Sequence, residues 1–197
     1  SFNNSAVNNN ITDSAYGIFM DSGYNNSVRG GSIFNSQTAG LYFEGATAVY
    51  NNFTNISIFG TGANGHDLRF GTTSINNTYL IDMPSIGNYT FTTVGGTVIF
   101  EKTGFGEIRF LSPINGSGLN LSNDIVIGNN TVNISIANIG LNRTANITLY
   151  NIGNRNFVNI GVKDGSSAAT PELFFSTGIE NDKDYSDAGS IFVNVTA

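Results

Sequence analysis

The chain has no cysteine, which excludes a disulfide framework and any thiolate metal site and leaves stability to packing and backbone ladders. One histidine and two methionines make imidazole and soft ligands for copper equally scarce. Charged residues are only 11% of the chain. Their balance is acidic, with a formal net charge of -6 and a pI near 4.5. With no basic patch, such a chain repels phosphate backbones and anionic lipid, so neither nucleic acid nor a membrane surface is an expected partner. No apolar run reaches membrane-spanning length, so membrane insertion is not expected. No basic-then-apolar leader precedes Ser1-Phe2-Asn3-Asn4, and the chain reads as a mature or excised piece of an exported protein. Catalytic signatures are missing as well. There is no G-x-S-x-G elbow, a Ser/His/Asp arrangement would have to converge on His66, and the spaced glycines follow no strand-to-helix transition that would cradle phosphate.

What is present is a chain of 197 residues, 40% hydrophobic, long enough to bury a core as one domain or two small ones. Asn, Gly, Ser and Thr are abundant, so solubility comes from uncharged polar groups or from attached glycans. The thirty asparagines, with about one residue in five being Ser or Thr, would produce roughly six N-x-Ser/Thr triplets by chance. Fourteen occur, beginning at Asn3, Asn10, Asn25, Asn52, Asn55, Asn76, Asn88, Asn115, Asn120, Asn129, Asn133, Asn142, Asn146 and Asn194, none with Pro in the middle. Part of the excess has a mechanical origin, because residues i and i+2 share one face of a strand; Asn133-Ile134-Ser135 and Asn146-Ile147-Thr148 fit it. N-linked glycosylation of several sites accounts for the rest, with close neighbours such as Asn52 and Asn55 not all filled. It implies a secreted, extracellular or cell-surface location.

Residues 1 to about 80 carry an imperfect repeat of roughly 23 to 27 residues, a period that belongs to solenoids. Tyr16-Gly17-Ile18-Phe19-Met20 matches Ala39-Gly40-Leu41-Tyr42-Phe43 and, more loosely, His66-Asp67-Leu68-Arg69-Phe70. Each is followed by an asparagine pair: Asn25-Asn26-Ser27, Asn51-Asn52-Phe53 and Asn76-Asn77-Thr78. Period-two alternation puts Ile18, Leu41 and Leu68 in one inward stack and Met20, Phe43 and Phe70 in a second, with Phe19, Tyr42 and Arg69 outward. A single coil of this kind buries nothing; stacked coils make a continuous core, and Asn at the turns tolerates the left-handed conformation.

On Asn8-Asn9-Asn10-Ile11-Thr12, Tyr16-Gly17-Ile18-Phe19 and Tyr24-Asn25-Asn26-Ser27, the first 80 residues resemble the right-handed parallel β-helix repeats of the periplasmic copper-binding family called NosD-like, which recur in large surface proteins. The resemblance implies the fold. The copper of that family has no ligand set here, and no cofactor or metal is expected.

From about residue 80 longer alternating strands take over, near Thr97–Phe100, Glu107–Phe110, Val132–Ile136 and Asn146–Tyr150, then Phe157–Ile160, Leu173–Phe175 and Ile191–Val195. Gly95-Gly96, Asn115-Gly116 and Asp164-Gly165 supply turn chemistry. The expected organisation is all-β, with parallel β-helix coils over 1–85 and a β-sandwich or jelly-roll-like domain over 86–197; the stretch 80–115 reads alternatively as further irregular coils.

Asp21 and Glu44 follow matched strands, which puts them one rung apart at about 4.8 Å if the register holds. With Asp67 they are the one acidic group that a lyase or hydrolase could use, but no partner base accompanies them and solvated turn residues are the simpler reading. Arg69 is expected over the ring of Tyr42. The segment Asp182–Gly189 resembles half of an oxygen-ligand loop for Ca²⁺ but lacks the bidentate Glu, and reads as an acidic surface loop. The preferred function is a non-catalytic structural subunit of an extracellular filament, sheath or surface layer. It would self-associate into a homopolymer through uncapped β ends, since Ser1 falls inside a coil and Ala197 just after a strand. The alternative is an adhesin or polysaccharide-binding module using Phe19 and Tyr42 as sugar platforms. An enzyme is ranked last.

Overall fold

A computed structural model describes residues 2–129, 131–135, 137–151 and 190–195. The chain is all-β, with a β-solenoid of about four turns in its N-terminal region. Strands β1 (Ser5–Thr12), β2 (Tyr16–Tyr24), β3 (Ser27–Phe34), β4 (Ala39–Val49), β5 (Asn52–Thr54), β6 (Ser57–Phe59), β7 (His66–Ile81) and β8 (Tyr89–Lys102) wind the coils. Two parallel ladders result. One runs β2–β4 and on through the first halves of β7 and β8; the other runs β1–β3, then β5 and β6, then the second halves of β7 and β8.

The expected inward stacks form, because side chains at one register position in successive parallel strands lie on the same side. Ile18, Leu41, Leu68 and Tyr89 align, as do Met20, Phe43, Phe70 and Phe91. Phe70 sits between Phe43 at 4.8 Å and Phe91 at 5.0 Å between ring centroids. Burying each large side chain contributes about 1.5–3 kcal/mol. The second ladder adds Val28, Phe53, Leu80 and Phe100, and all of these pack in or against one core.

Each coil turns at corners in the left-handed region, and asparagine supplies most of them because its short polar side chain tolerates that conformation. Asn3, Asn25, Tyr50 and Asn77 occupy one corner (φ 52°, 53°, 55° and 48°), Asn8, Gly30, Asn55 and Asp82 a second, and Asp13, Asn35 and Gly60 a third. Beside the first corner runs an amide ladder. Asn4 Nδ2 donates to Asn26 Oδ1 at 2.9 Å, Asn26 Nδ2 to Asn51 Oδ1 at 3.0 Å, and Asn51 Nδ2 to the carbonyl of Gly23 at 3.0 Å. Pairing Asn25-Asn26-Ser27 with Asn51-Asn52-Phe53 and Asn76-Asn77-Thr78 is therefore wrong. Ser27 pairs with Asn52 and Asn52 with Tyr79, so the true partners are Tyr50-Asn51-Asn52 and Asn77-Thr78-Tyr79. Irregularities displace the letters: Met20 faces Phe43 but Ser22 faces Thr47, and a tyrosine takes the left-handed position where asparagine was expected.

Parallel pairing runs on past residue 85, through Tyr79↔Ile99 to Ile81↔Glu101, so 80–102 is one more coil, the alternative that the sequence left open. Gly96 (φ 96°) is a corner inside β8 instead of a hairpin turn, and Asn115-Gly116 lies within a strand at a register shift. Solenoid corners and hairpins both need φ > 0, so glycine alone does not tell them apart. After Lys102 the direction reverses. Strand β9 (Gly106–Phe110) covers the second half of β8 antiparallel and β10 (Ile114–Gly118) covers its first half. The sheet continues antiparallel through β13 (Ala145–Tyr150) to β14 (Ser190–Val195). A short helix α1 (Leu121–Asp124), capped by Asn120, leads into the hairpin of β11 (Ile125–Gly128) and β12 (Thr131–Ile134). Leu121, Ile125 and Ile127 extend the same core. The expected strands Phe157–Ile160 and Leu173–Phe175, the turn Asp164-Gly165 and the loop Asp182–Gly189 lie outside the described residues.

Candidate functional site

The outward side of the first ladder carries an aromatic pile. Register places Phe19, Tyr42 and Arg69 at one position of three successive coils. The Tyr16 ring stacks on Tyr42 at 5.4 Å and 28°, Phe19 lies 5.3 Å from both rings, and the Arg69 guanidinium sits 4.6 Å over Tyr42, as the sequence led one to expect. Tyr42 is thereby covered, at 3% exposure, leaving Tyr16 (40%) and Phe19 (48%) as the accessible rings. Burial, and next its hydrogen bond with Glu44, pushes the Tyr42 hydroxyl up to about 12. Two further exposed aromatic ladders, Phe2–Tyr24–Tyr50 and Phe34–Phe59, line other parts of the coil surface.

The acidic trio does not assemble. The irregularity between Met20 and Ser22 places Asp21 against Gly45, and Glu44 turns to Tyr42. Asp67 belongs to a position between Ala39↔His66 and Leu41↔Leu68, before the aromatic column. It is buried as a clamp, accepting from Thr61 Oγ1 at 2.9 Å and from the Gly87 N–H at 2.8 Å. Among the described residues no group of three or more His, Cys, Asp or Glu could hold a metal ion. His66 opens β7, and burial, then the nearby Arg69 charge, lowers its pKa.

One titratable cluster escaped the sequence reading. Glu101 and Glu107 face each other across the β8–β9 hairpin, where like charges repel. Tyr150 donates to Glu107 at 3.3 Å, and Arg109 lies 3.6 Å from Glu107 while bonding Asn77 Oδ1 and the Tyr79 hydroxyl. Burial first, then Glu107 and Asp82, raises the pKa of Glu101. Equal distances from the turn around Gly104 were the available signal, since such positions pair in a hairpin. A second polar clamp joins Tyr89, which donates to Asp124 at 2.6 Å and receives a bond from Asn138, pinning α1 and the following loop to the last coil. Between that coil and the α1–β11 segment lies a cavity of about 320 Å³ whose walls include Leu80, Ile86, Phe100, Leu121 and Ile125, with Glu101 and Lys102.

The sequon asparagines divide by position. Asn3, Asn10, Asn25, Asn55, Asn120, Asn129, Asn133 and Asn142 are exposed; Asn52, Asn76, Asn88, Asn115 and Asn146 are partly covered. Asn55 is a solenoid corner, Asn120 the helix cap, and Asn129 and Asn133 flank or lie in the β11–β12 hairpin. Asn88 donates Nδ2 to the Gly65 carbonyl at 2.7 Å, and the Oδ1 of Asn146, in a strand paired on both sides, is buried without a partner.

No protein-family model, curated protein or solved structure matches the chain.

Proposed function

We propose that the chain is a non-catalytic structural module of a secreted, N-glycosylated extracellular assembly, a filament, sheath or surface layer, in which coils of separate molecules join edge to edge. The observation that carries this reading is the edge-to-edge pairing of parallel coils, of which β1 and β2 form one edge. β1 and β2 have ladder partners on one side only among the described residues. Between them an apolar cavity of about 160 Å³ is walled by Ala6, Ile11, Ile18, Val28, Ile33 and Ile56. Unpaired N–H and C=O groups beside apolar surface are a template for another strand, and a heterologous joint between copies yields an open polymer. In keeping with this, the residues that resemble NosD-like surface repeats are those that build β1, β2 and the first asparagine corner. Interior polar groups such as Asn51, Asp67 and Tyr89 serve the architecture.

Negative-stain electron microscopy of the secreted chain, alongside Val7→Lys, tests the reading. Val7 is exposed on the β1 edge, and a lysine there blocks edge pairing without touching the core. Filaments from the parent chain and dispersed particles from the variant are expected; dispersed particles from both reject the polymer. A second reading, adhesion to polysaccharide, is favoured by the Tyr16–Phe19 pair, whose exposed rings offer faces for sugar C–H groups. Loss of polysaccharide retention in Tyr16→Ala/Phe19→Ala, with filaments absent, would select it.

A further inference from the structure

Resting on the glycosylated reading above, we propose that in folded molecules the glycans stand on exposed positions of the coil surface, including the strand residue Asn10 and the corner residues Asn55 and Asn3, while Asn88 and Asn146 stay bare. Glycosyl transfer forms a bond from Nδ2 to the anomeric carbon of a sugar activated as a lipid-linked phosphate glycoside. The phosphate leaves, Nδ2 loses one of its two protons, and one N–H remains. The first sugar ring must then fit within a few ångströms of the amide, so space around each Nδ2 decides which sites are compatible with the fold, whether transfer precedes or follows folding.

Asn88 has no such space. Its Nδ2 donates to the carbonyl of buried Gly65 at 2.7 Å, and its own carbonyl accepts the N–H of Asp67 at 2.7 Å, so the residue is held between two coils. Asn146 lies in β13 between β9 and β14, aligned with Arg109 and Asn194, and its Oδ1 is sealed from solvent. A glycan on Asn88 would have to displace a coil, and one on Asn146 would have to free an amide whose oxygen is sealed in the sheet. Asn55 stands at a corner with φ 52° and is exposed, and exposed Asn10 keeps its Oδ1 on Ser32. Ser32 pairs with Ser57, so Asn10 stands two coils from that level, about 9–10 Å in the ladder direction, enough to separate two chains of sugars.

Asn3 and Asn25 are one coil apart at the same corner, about 4.8 Å, too close for both to be filled. Asn25 donates Nδ2 to Asn3 Oδ1 at 2.8 Å, whereas no bond from Asn3 Nδ2 occurs among the described residues. Asn3 is the one that can accept a glycan without breaking the corner.

The test is secretion of the whole chain from a eukaryotic host that transfers N-glycans. The soluble, protease-resistant fraction is deglycosylated enzymatically in ¹⁸O water and its peptides are read by mass spectrometry. Label is expected at Asn10 and Asn55, at Asn3 in excess over Asn25, and not at Asn88 or Asn146. Thr12→Ala and Ser57→Ala, which destroy the triplets of Asn10 and Asn55 without altering either asparagine, should each lower the intact mass by one glycan, and Thr90→Ala should leave it unchanged apart from the substitution. Occupancy of Asn88 or Asn146 equal to that of Asn55 overturns the placement and leaves the glycosylated reading standing. A chain with no glycan at any site overturns both.

Discussion

Asn51 is the residue whose replacement tests the ladder most sharply. It is fully buried, its Oδ1 accepts from both the backbone N–H and the Nδ2 of Asn26 at 3.0 Å, and its Nδ2 donates to the Gly23 carbonyl at 3.0 Å. Asn51→Ala leaves three polar groups without those partners in a buried setting. At about 1–3 kcal/mol for each unsatisfied group, and with relaxation recovering part of it, the loss should be about 3–5 kcal/mol. The next coil supplies an internal control. Thr78 holds the equivalent position, and its Oγ1 bonds the Ala48 carbonyl at 3.3 Å, the counterpart of Gly23. Asn51→Thr should therefore keep the bond to Gly23 and lose only the acceptor for Asn26, costing about 1–2 kcal/mol less than alanine. Asn4→Ala, at the exposed end of the ladder, should cost under about 1 kcal/mol. Urea unfolding followed by tyrosine fluorescence and circular dichroism gives the three values. An alanine variant within about 1 kcal/mol of the parent, or a threonine variant no better than alanine, refutes the claim that this amide ties its coil to the preceding one.

The aromatic stack and the acidic hairpin give two further expectations. Phe70→Ala, emptying a fully buried place between Phe43 and Phe91, should cost about 3–5 kcal/mol in the same unfolding assay, and Phe19→Ala, on the exposed side, under about 1 kcal/mol; equal losses would contradict the inward register. The raised pKa of Glu101 means that the folded chain holds that proton more tightly than the unfolded one. Its contribution is then most favourable below the unfolded value of about 4.3 and falls as pH rises through the raised folded value. Glu101→Gln removes the repulsion and should raise stability at neutral pH by ~0.2–1 kcal/mol, with the gain disappearing in acid. A loss at neutral pH would show that the Glu101–Glu107 pair is compensated.

The coil strands were legible because each carries a short alternating run, and the three runs from Tyr16, Ala39 and His66 share one pattern of inward and outward positions. The asparagine register was not, because length varies at the corners: the ladder joins Asn4 to Asn26 over 22 residues and Asn26 to Asn51 over 25. Asp21 and Glu44 looked one rung apart because each follows a matched strand, but a local irregularity sets in right after Met20 and Phe43, and Asp67, inside its strand, is held by a clamp to Gly87. The hairpin after Lys102 was visible as alternation, but its position as a lid on both halves of β8 depends on contacts between distant segments.

Composition and period by themselves determined an all-β chain with stacked inward side chains, corners rich in asparagine and a surplus of N-x-Ser/Thr triplets, since these follow from side-chain alternation and from the φ > 0 tolerance of Asn and Gly. Only the tertiary structure decided which of these asparagines face solvent, which asparagines are interior rungs, and that Tyr42 lies beneath Tyr16, Phe19 and Arg69. The identical triplets Asn10-Ile11-Thr12 and Asn146-Ile147-Thr148, the first asparagine exposed and the second partly covered, carry no record of their neighbours. Burial is set by the strands that pack from elsewhere in the chain, and a corner residue and a rung residue differ by a single step along the coil.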